Sequence, residues 1–263
     1  MGAFESIRLE RSGPVARITL DRPSIRNAFD DVMIRELREA FARVRADGEV
    51  RVVVLAGEGS AFCAGADLHW MRRVRQYTYE QNYEDSLNLA HLMREMYECP
   101  RPVVCRVNGA AIGGGAGLVA VCDIAVAAET ATFSFSEVKI GLVPACISPY
   151  VLKRVGERYV REYFLTGERL TAPRALECGL VNKVVPPDDL DTVVGALVEG
   201  LCTSGPEALA ACKRMVRQVS ELDLDAAGPA TAEMIARLRM SEEGQEGMSA
   251  FLGHRQPSWW PAE

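Results

Sequence analysis

Short apolar runs alternate with longer amphipathic stretches over the first 185 residues of the chain. The runs are rich in β-branched residues and end at glycine, proline or polar residues, a pattern typical of strands. It predicts a pair of strands within 7–20 around a turn at 12–14, and single strands at 51–56, 103–107, 123–128, 132–135 and 181–185.

Apolar positions spaced three and four residues apart predict helices between these strands. The predicted helices cover 31–46, 83–99, 149–165 and 171–178, and the pattern from residue 190 onward is helical, with helices at 233–239 and 249–253. Asp30 or Asp31 can cap the first helix. The basic, polar stretch 71–81 is predicted to be exposed and mobile.

Strands alternate with helices first, and helices alone follow. This order predicts an α/β fold with a helical appendage. We place the core in residues 1–195 and the helical region in residues 196–263.

The composition argues against several classes of function. The 263 residues carry a net charge of −6, which argues against a nucleic-acid partner. Eight cysteines without a C-x-x-C pair, and a start without a secretory pattern, predict a cytoplasmic protein with reduced thiols. No apolar run is long enough for a membrane span, and three scattered histidines predict no metal site.

Two glycine-rich loops, AFCAGADL at 61–68 and NGAAIGGGAG at 108–117, each follow an apolar strand. One backbone N–H from each loop could converge on a single oxygen and form an oxyanion hole. Glycines also serve tight turns and close packing, but two such loops together favour the functional interpretation. A helix that opens after the second loop adds the positive end of its dipole.

Several segments, in order, carry a family resemblance: DRPSIRNAF, AGADL, NGAAIGGGAGL, CDIAVA, FSFSEVKIGLVP, FLTGERLTAPRALECGLVNKVVP and SEEGQEGMSAFLGHRQPSW. Over essentially the whole chain the sequence resembles the crotonase family, the enoyl-CoA hydratases and isomerases. The resemblance implies a spiral of ββα turns and a helical C-terminal region that builds trimers, often paired into hexamers. It implies a coenzyme A thioester as substrate and no separate cofactor.

Carried over by position, the resemblance makes the amides of Ala66 and Gly114 the oxyanion donors and Glu137 the catalytic acid or base. It implies a coenzyme A site lined by Arg26, Ala28, Ala64, Gly65, Ala66, Asp67, Leu68, Gly113, Gly114 and Phe251. Asp67 is expected to fix its loop through local backbone hydrogen bonds, and Arg255 could complete the site.

Glu137 could also be an ordinary surface carboxylate. The catalytic interpretation is favoured because its apolar neighbours would desolvate it and raise its pKa. These neighbours are Phe133, Phe135, Val138 and Ile140.

Hydratases of the family commonly have a second glutamate, at a position where this chain has Gly117. Hydration with Glu137 as acid/base remains the first hypothesis, and an enoyl-CoA isomerase that uses Glu137 alone is the alternative. A protein that keeps the fold without activity, for instance one that binds RNA, is a third.

The sequence resembles methylglutaconyl-CoA hydratase-like members most. That resemblance implies fatty-acid or leucine breakdown and a branched or carboxylated acyl group, which Lys139, Arg72 or Arg73 could bind.

Overall fold

Residues 4–260 are described by a computed structural model, and this part of the chain contains ten strands. They are β1 (Ile7–Ser12), β2 (Val15–Leu20), β3 (Val52–Gly57), β4 (Ala61–Cys63), β5 (Val103–Val107), β6 (Ala110–Ile112), β7 (Ile124–Ala128), β8 (Thr132–Ser134), β9 (Arg169–Thr171) and β10 (Lys183–Val185).

The same part of the chain forms ten α-helices. They are α1 (Asp31–Ala46), α2 (Leu68–Val74), α3 (Tyr79–Tyr97), α4 (Gly114–Val121), α5 (Ser148–Thr166), α6 (Ala172–Glu177), α7 (Leu190–Cys202), α8 (Pro206–Val219), α9 (Leu224–Met240) and α10 (Glu242–Leu252). Short 3₁₀ turns cover Pro23–Ile25, Ser136–Ile140 and Pro187–Asp189.

The strands form two sheets that the chain visits alternately. One sheet has the order β1-β2-β3-β5-β7-β10 and the other β4-β6-β8-β9. Three successive strand pairs, β3/β4, β5/β6 and β7/β8, each place one strand in either sheet before a helix begins. Pairing is parallel except at β1/β2 and β8/β9. This is the predicted α/β spiral of ββα turns.

The larger sheet is buried on both faces. Alternate residues of β3 belong to two different apolar clusters, Val53 and Leu55 to one and Val52 and Val54 to the other. The first cluster contains the inner sides of α1, α3, α4 and α5, whereas α7 covers the opposite face. Strands of a parallel sheet covered on both faces read as continuous apolar runs, which is why β3, β5 and β7 were predictable.

The stretch 71–81 is largely exposed, as the sequence predicts, but its two ends belong to helices. Residues Leu68–Val74 form α2, with Asp67 as its N-cap and Trp70 buried. The ring of Trp70 packs on the ring of Phe29, with the ring centroids 5.7 Å apart. This contact stabilises α2 against the rest of the protein. α3 then begins at Tyr79, after a capping box between Thr78 and Gln81.

The predicted division between residues 195 and 196 falls within α7, which packs on the larger sheet. The division remains a prediction. All eight cysteines are free. Within residues 4–260, the helices are too short or too polar to cross a bilayer.

Candidate active site

The first glycine-rich loop leaves one backbone amide unused. Phe29 and Ala66 form a parallel bridge, in which the Phe29 amide donates to the Gly65 carbonyl and the Asp67 amide donates to the Phe29 carbonyl, both at 2.9 Å. In this pattern the amide of Ala66 points away from Phe29. Within the described residues that amide donates no hydrogen bond, so it is available to a ligand.

A partly buried ionic cluster holds this loop. The Arg22 guanidinium donates to Asp67 Oδ2 at 2.8 Å and to Asp30 Oδ2 at 3.0 Å. Asp67 also accepts from the amides of His69 and Trp70, and so caps α2 as expected. Burial would raise the pKa of Asp67, but these amides and the Arg22 charge outweigh it and lower the pKa.

The second glycine-rich loop ends in a helix start. Gly113 has a left-handed φ of 54° and donates its amide to the Ser134 carbonyl at 2.7 Å, and α4 begins at Gly114. The first amides of a helix have no partner inside it. Among residues 4–260 the Gly114 amide has no acceptor, and the dipole of α4 favours negative charge there.

Phe29 brings the two free amides together. Its backbone pairs with Ala66, and its ring packs on Gly114 so closely that a Cβ there would lie 2.3 Å from Cζ. The loops also touch directly, because a Cβ on Gly65 would lie 3.0 Å from the Ile112 carbonyl oxygen. The two predicted donors therefore lie in adjoining loops around one phenylalanine.

Glu137 lies beside the second loop, in the 3₁₀ turn Ser136–Ile140. Its Oε1 would be 3.0 Å from a Cβ on Gly113, and its Oε2 is buried without a hydrogen-bond partner in the described part of the chain. Burial raises the pKa of Glu137. A half-buried carboxyl without a counter-charge suits proton transfer near neutral pH.

Two of the four residues expected to desolvate Glu137 are not buried. Val138 is 36% and Ile140 59% exposed, whereas Phe133 and Phe135 lie in the core. The predicted direction of the pKa shift is correct, but Val138 and Ile140 project outward from the 3₁₀ turn.

Gly117 is packed against the side chain of Ile147. A Cβ on Gly117 would lie 2.2 Å from Ile147 Cγ2 and 2.8 Å from Ile147 Cβ. The position to which the family resemblance assigns a second glutamate is therefore packed against a buried isoleucine, and Glu137 has no carboxylate opposite it on α4.

The structure gathers most of the predicted coenzyme A residues at the first loop. The Ala64 amide donates to the Arg26 carbonyl at 2.9 Å, and Arg26 is exposed in a left-handed conformation beside the buried Ala28. Leu68 is 70% exposed at the start of α2.

Phe251 and Arg255 are not brought to these loops. Phe251 is 82% exposed on α10, which packs on α9 and caps the start of α8 through Glu243. The Arg255 guanidinium pairs with Glu246. Neither residue completes the site within a single chain.

The three candidate cations differ in their surroundings. Arg73 pairs with Asp31, Arg72 is exposed on α2, and Lys139 is exposed beside Gly167. In the described part of the chain, none of these three side chains forms a hydrogen bond or ion pair with Glu137.

Sequence reasoning missed Arg22, Phe29, Trp70 and Ile147. Arg22 and Phe29 lie in the segment DRPSIRNAF, but their partners are far along the chain, such as Asp67. Trp70 and Ile147 are apolar residues beside polar motifs, and only the packing of α2 on Phe29 and of Ile147 on Gly117 gives them a role.

Comparison with known proteins gives a consistent picture. The sequence profile of the enoyl-CoA hydratase/isomerase family matches residues 10–261. A Thermus thermophilus protein whose name is that of an enoyl-CoA hydratase is 37% identical over 245 residues, or 93% of this chain and 97% of that protein.

Two solved structures superpose closely on this chain. An enoyl-CoA hydratase from Shewanella pealeana superposes with a TM-score of 0.95 at 39% identity and covers 97% of this chain and 96% of its own. AtuE of Pseudomonas aeruginosa gives a TM-score of 0.94 at 36% identity, over 98% of this chain and all of its own.

Proposed function

The chain belongs to the enoyl-CoA hydratase/isomerase family, and on that premise we propose that it is a hydro-lyase that adds water to a 2-enoyl-CoA thioester, or removes it in reverse. The observation that carries the proposal is the pair of unpaired amides of Ala66 and Gly114 next to the desolvated carboxyl of Glu137.

The amides of Ala66 and Gly114 bind the thioester oxygen as it gains negative charge. A proton α to a thioester is weakly acidic, so the enolate must be stabilised. Loss of one oxyanion donor typically costs about 3–4 kcal/mol of transition-state stabilisation. Glu137 exchanges the proton at Cα, for which its raised pKa is suited.

Coenzyme A binds along the first loop. Arg26 offers an exposed cation for a phosphate, and Ala28 with residues 64–68 lines the path of the pantetheine. Phe251 joins the site from a neighbouring subunit, since it is exposed on its own chain.

An enoyl-CoA isomerase is the second candidate, and the Gly117–Ile147 contact favours it. Moving a double bond needs proton removal and return by one base, and Glu137 can do both. Hydration needs a group that activates water in addition.

The purified protein should be incubated with crotonyl-CoA, 3-methylglutaconyl-CoA and a 3-enoyl-CoA, and the products resolved by chromatography. We expect 3-hydroxyacyl-CoA from at least one 2-enoyl substrate, with faster turnover of the branched, carboxylated one, as a role in leucine breakdown requires. Rapid double-bond migration without water addition would contradict hydration and favour the isomerase. The Glu137→Gln variant should lose either activity.

We further propose a homotrimer, alone or paired into a hexamer. Large apolar side chains remain exposed after Glu137 and on the C-terminal helices, and burial between subunits would remove them from water. They are Ile140 59%, Leu142 56%, Val143 71%, Leu165 72%, Phe251 82% and Leu252 77% exposed. Light scattering on the eluted protein should give the mass of three or six chains, and a monomer would contradict the proposal.

A further inference from the structure

The Phe29 ring spans the distance between the two free amides of the site. Its far edge touches the second loop, because a Cβ on Gly114 would lie 2.3 Å from Cζ and 2.5 Å from Cε1 of the ring. At the other end, the backbone of Phe29 is hydrogen-bonded to both neighbours of Ala66. The tilt of this ring therefore sets the separation of the Ala66 and Gly114 amides.

The backbone of Phe29 does not fix that tilt by itself. A phenylalanine side chain turns about two bonds between its staggered rotamers, and Cζ is the ring atom that such a rotation moves furthest. Gly114 has no side chain that could hold the ring from the other loop. A neighbouring side chain must keep the Phe29 ring in one orientation.

Trp70 is that neighbour. Its ring packs on the Phe29 ring with the centroids 5.7 Å apart and the ring planes at 53°, a tilted arrangement that adds attraction beyond the area it buries. Trp70 is only 8% exposed, although it lies on the short, basic helix α2. The one fully buried side chain of α2 thus rests on the residue that joins the two loops.

The orientation of Trp70 is fixed at both ends of the residue. Its indole Nε1 donates to Asp85 Oδ1 on α3 at 3.2 Å, and its amide donates to Asp67 Oδ1 at 3.4 Å. Asp67 directly follows the donor Ala66. The two rings separate Asp85 from Gly114, so the Asp85 carboxyl acts on Trp70 and not on a substrate.

A separate contact holds α2 against the segment that carries Phe29. Arg73 of α2 pairs with Asp31, which is the first residue of α1 and lies two positions after Phe29. The helix is therefore tied to the start of α1 by an ion pair and to α3 by the indole hydrogen bond. Trp70 is held between these two contacts.

We propose that Trp70 is a positioning residue of the oxyanion hole. It holds the Phe29 ring at the tilt that lets the amides of Ala66 and Gly114 donate to one thioester oxygen, and Asp85 fixes the Trp70 indole by accepting its N–H. The proposal rests on the oxyanion hole of the proposed function. It applies to hydration and to isomerisation, because both reactions pass through the enolate that these amides stabilise.

The effect of Trp70 should appear mainly in kcat. The two amides act on the oxygen as it gains charge, whereas Arg26 and the loop backbone bind coenzyme A in the ground state as well as in the transition state. A displacement of about 1 Å from a remote substitution can lower a rate about 100-fold. KM should change much less than kcat when the support of Phe29 is lost.

The test measures the polarisation of the thioester carbonyl. Cinnamoyl-CoA is a 2-enoyl thioester with a conjugated phenyl ring, and its absorption moves to longer wavelength when donors draw charge onto its oxygen. The wild type should show this red shift with bound cinnamoyl-CoA. Trp70→Ala should lose most of the red shift and about 100-fold in kcat. Trp70→Phe, which keeps a ring without the N–H, should lie between them.

Variants of Asp85 test the hydrogen bond. Asp85→Asn keeps an oxygen for the indole N–H and should retain the red shift and kcat of the wild type. Asp85→Leu removes the acceptor and should resemble Trp70→Phe. Far-UV circular dichroism at the assay temperature checks that each variant is folded.

Two controls separate positioning from stability and from proton transfer. Trp259 packs on Gly247 of α10, and its indole donates to the Thr203 carbonyl at 3.2 Å, so Trp259→Phe should leave the red shift and kcat unchanged. Glu137→Gln should lose turnover but keep the red shift, because both amides stay in place.

An unchanged red shift in Trp70→Ala overturns the proposal, and so does a fall in kcat without a change in the red shift. If Trp70→Ala does not fold, the same outcomes in Trp70→Phe and Asp85→Leu decide. Equal losses in Asp85→Asn and Asp85→Leu also overturn it, because the hydrogen bond would then not matter. A wild type that binds cinnamoyl-CoA without any red shift would instead contradict the oxyanion hole of the proposed function.

Discussion

The loop that carries Ala66 and the loop that carries Gly114 each present a free amide, but different forces fix them. The first is held by Arg22 between Asp30 and Asp67, the second by steric contact of glycines with Phe29 and Ile147. The position of the first loop therefore depends on ionic contacts, and that of the second on the small size of its glycines. Substitutions that remove charge should disturb the first loop, and substitutions that add volume should disturb the second.

The carboxyl groups of the two halves differ in the same way. Asp67 has a counter-ion and a lowered pKa, whereas Glu137 has an unpartnered oxygen and a raised one. A paired carboxylate suits a permanent scaffold, and an unpaired one suits a group that must exchange protons.

Removal of the charge at the first loop should have the largest effect. Arg22→Ala leaves two largely buried carboxylates without their cation, and we expect unfolding free energy to fall by about 3 kcal/mol. Because the loop then moves, kcat should fall more than KM rises. Denaturant unfolding and steady-state kinetics measure both, and Arg214→Ala, at an exposed position of α8, should change neither. Unchanged stability would show that the loop does not depend on charge.

Added volume at the second loop should have the next largest effect. Gly114→Ala places a methyl group against the Phe29 ring, and overpacking typically costs about 1–3 kcal/mol. Activity should fall with it because the donor moves. Gly195→Ala is the matched control, since its Cβ meets open space on α7 and should stabilise by about 0.5–1 kcal/mol. Equal behaviour of the two variants would contradict steric control.

A smaller change is expected from Glu137→Gln, which should stabilise the fold by about 1 kcal/mol at neutral pH while activity is lost. The folded state raises the pKa of Glu137, so ionisation costs the folded state more than the unfolded one. This gain in stability should be absent at pH values below the ordinary carboxyl pKa. It should grow as pH rises to the raised pKa that Glu137 has in the folded state. Thermal unfolding at acid and neutral pH measures it, and a gain independent of pH would show another cause.

The smallest effect is expected from Asp67→Asn, which keeps one oxygen as acceptor for the two capping amides and removes the charge together with the oxygen that accepts from Arg22. Because the folded state lowers the pKa of Asp67, the wild type should be the more stable above its unfolded pKa. This advantage should disappear as pH falls through the lowered folded value. Parallel melts against pH measure the difference, and an advantage that persists in acid would contradict the ionic role.

The elements that could be predicted from the sequence are those marked by a continuous apolar run or by a local motif. β3, β5 and β7 were readable because both faces of the sheet are buried, and the Asp67 cap was readable because its partners follow directly. β4 and β6 lie inside the two glycine-rich loops, and β9 has Leu170 as its one apolar residue, so no separate apolar run marks these strands and they were missed.

The candidate site was predictable only in its backbone. Glycines marked both loops, but Arg22 meets Asp67 across 45 positions, and no local pattern encodes such a pair. α2 was missed because it has seven residues and its basic side chains face solvent, while Trp70 is its one fully buried side chain and Val74 is partly buried. A single buried tryptophan does not produce a helical period.

The Gly117–Ile147 contact also limits which sequences can evolve from this one. A carboxylate at position 117 would clash with Ile147, whereas shortening Ile147 first would leave a cavity that typically costs about 2–5 kcal/mol. Each single change is harmful and only the pair is compatible, so the two positions are epistatic. Ancestors and descendants of this chain should therefore exchange both residues together, and a reconstructed intermediate should be poorly folded.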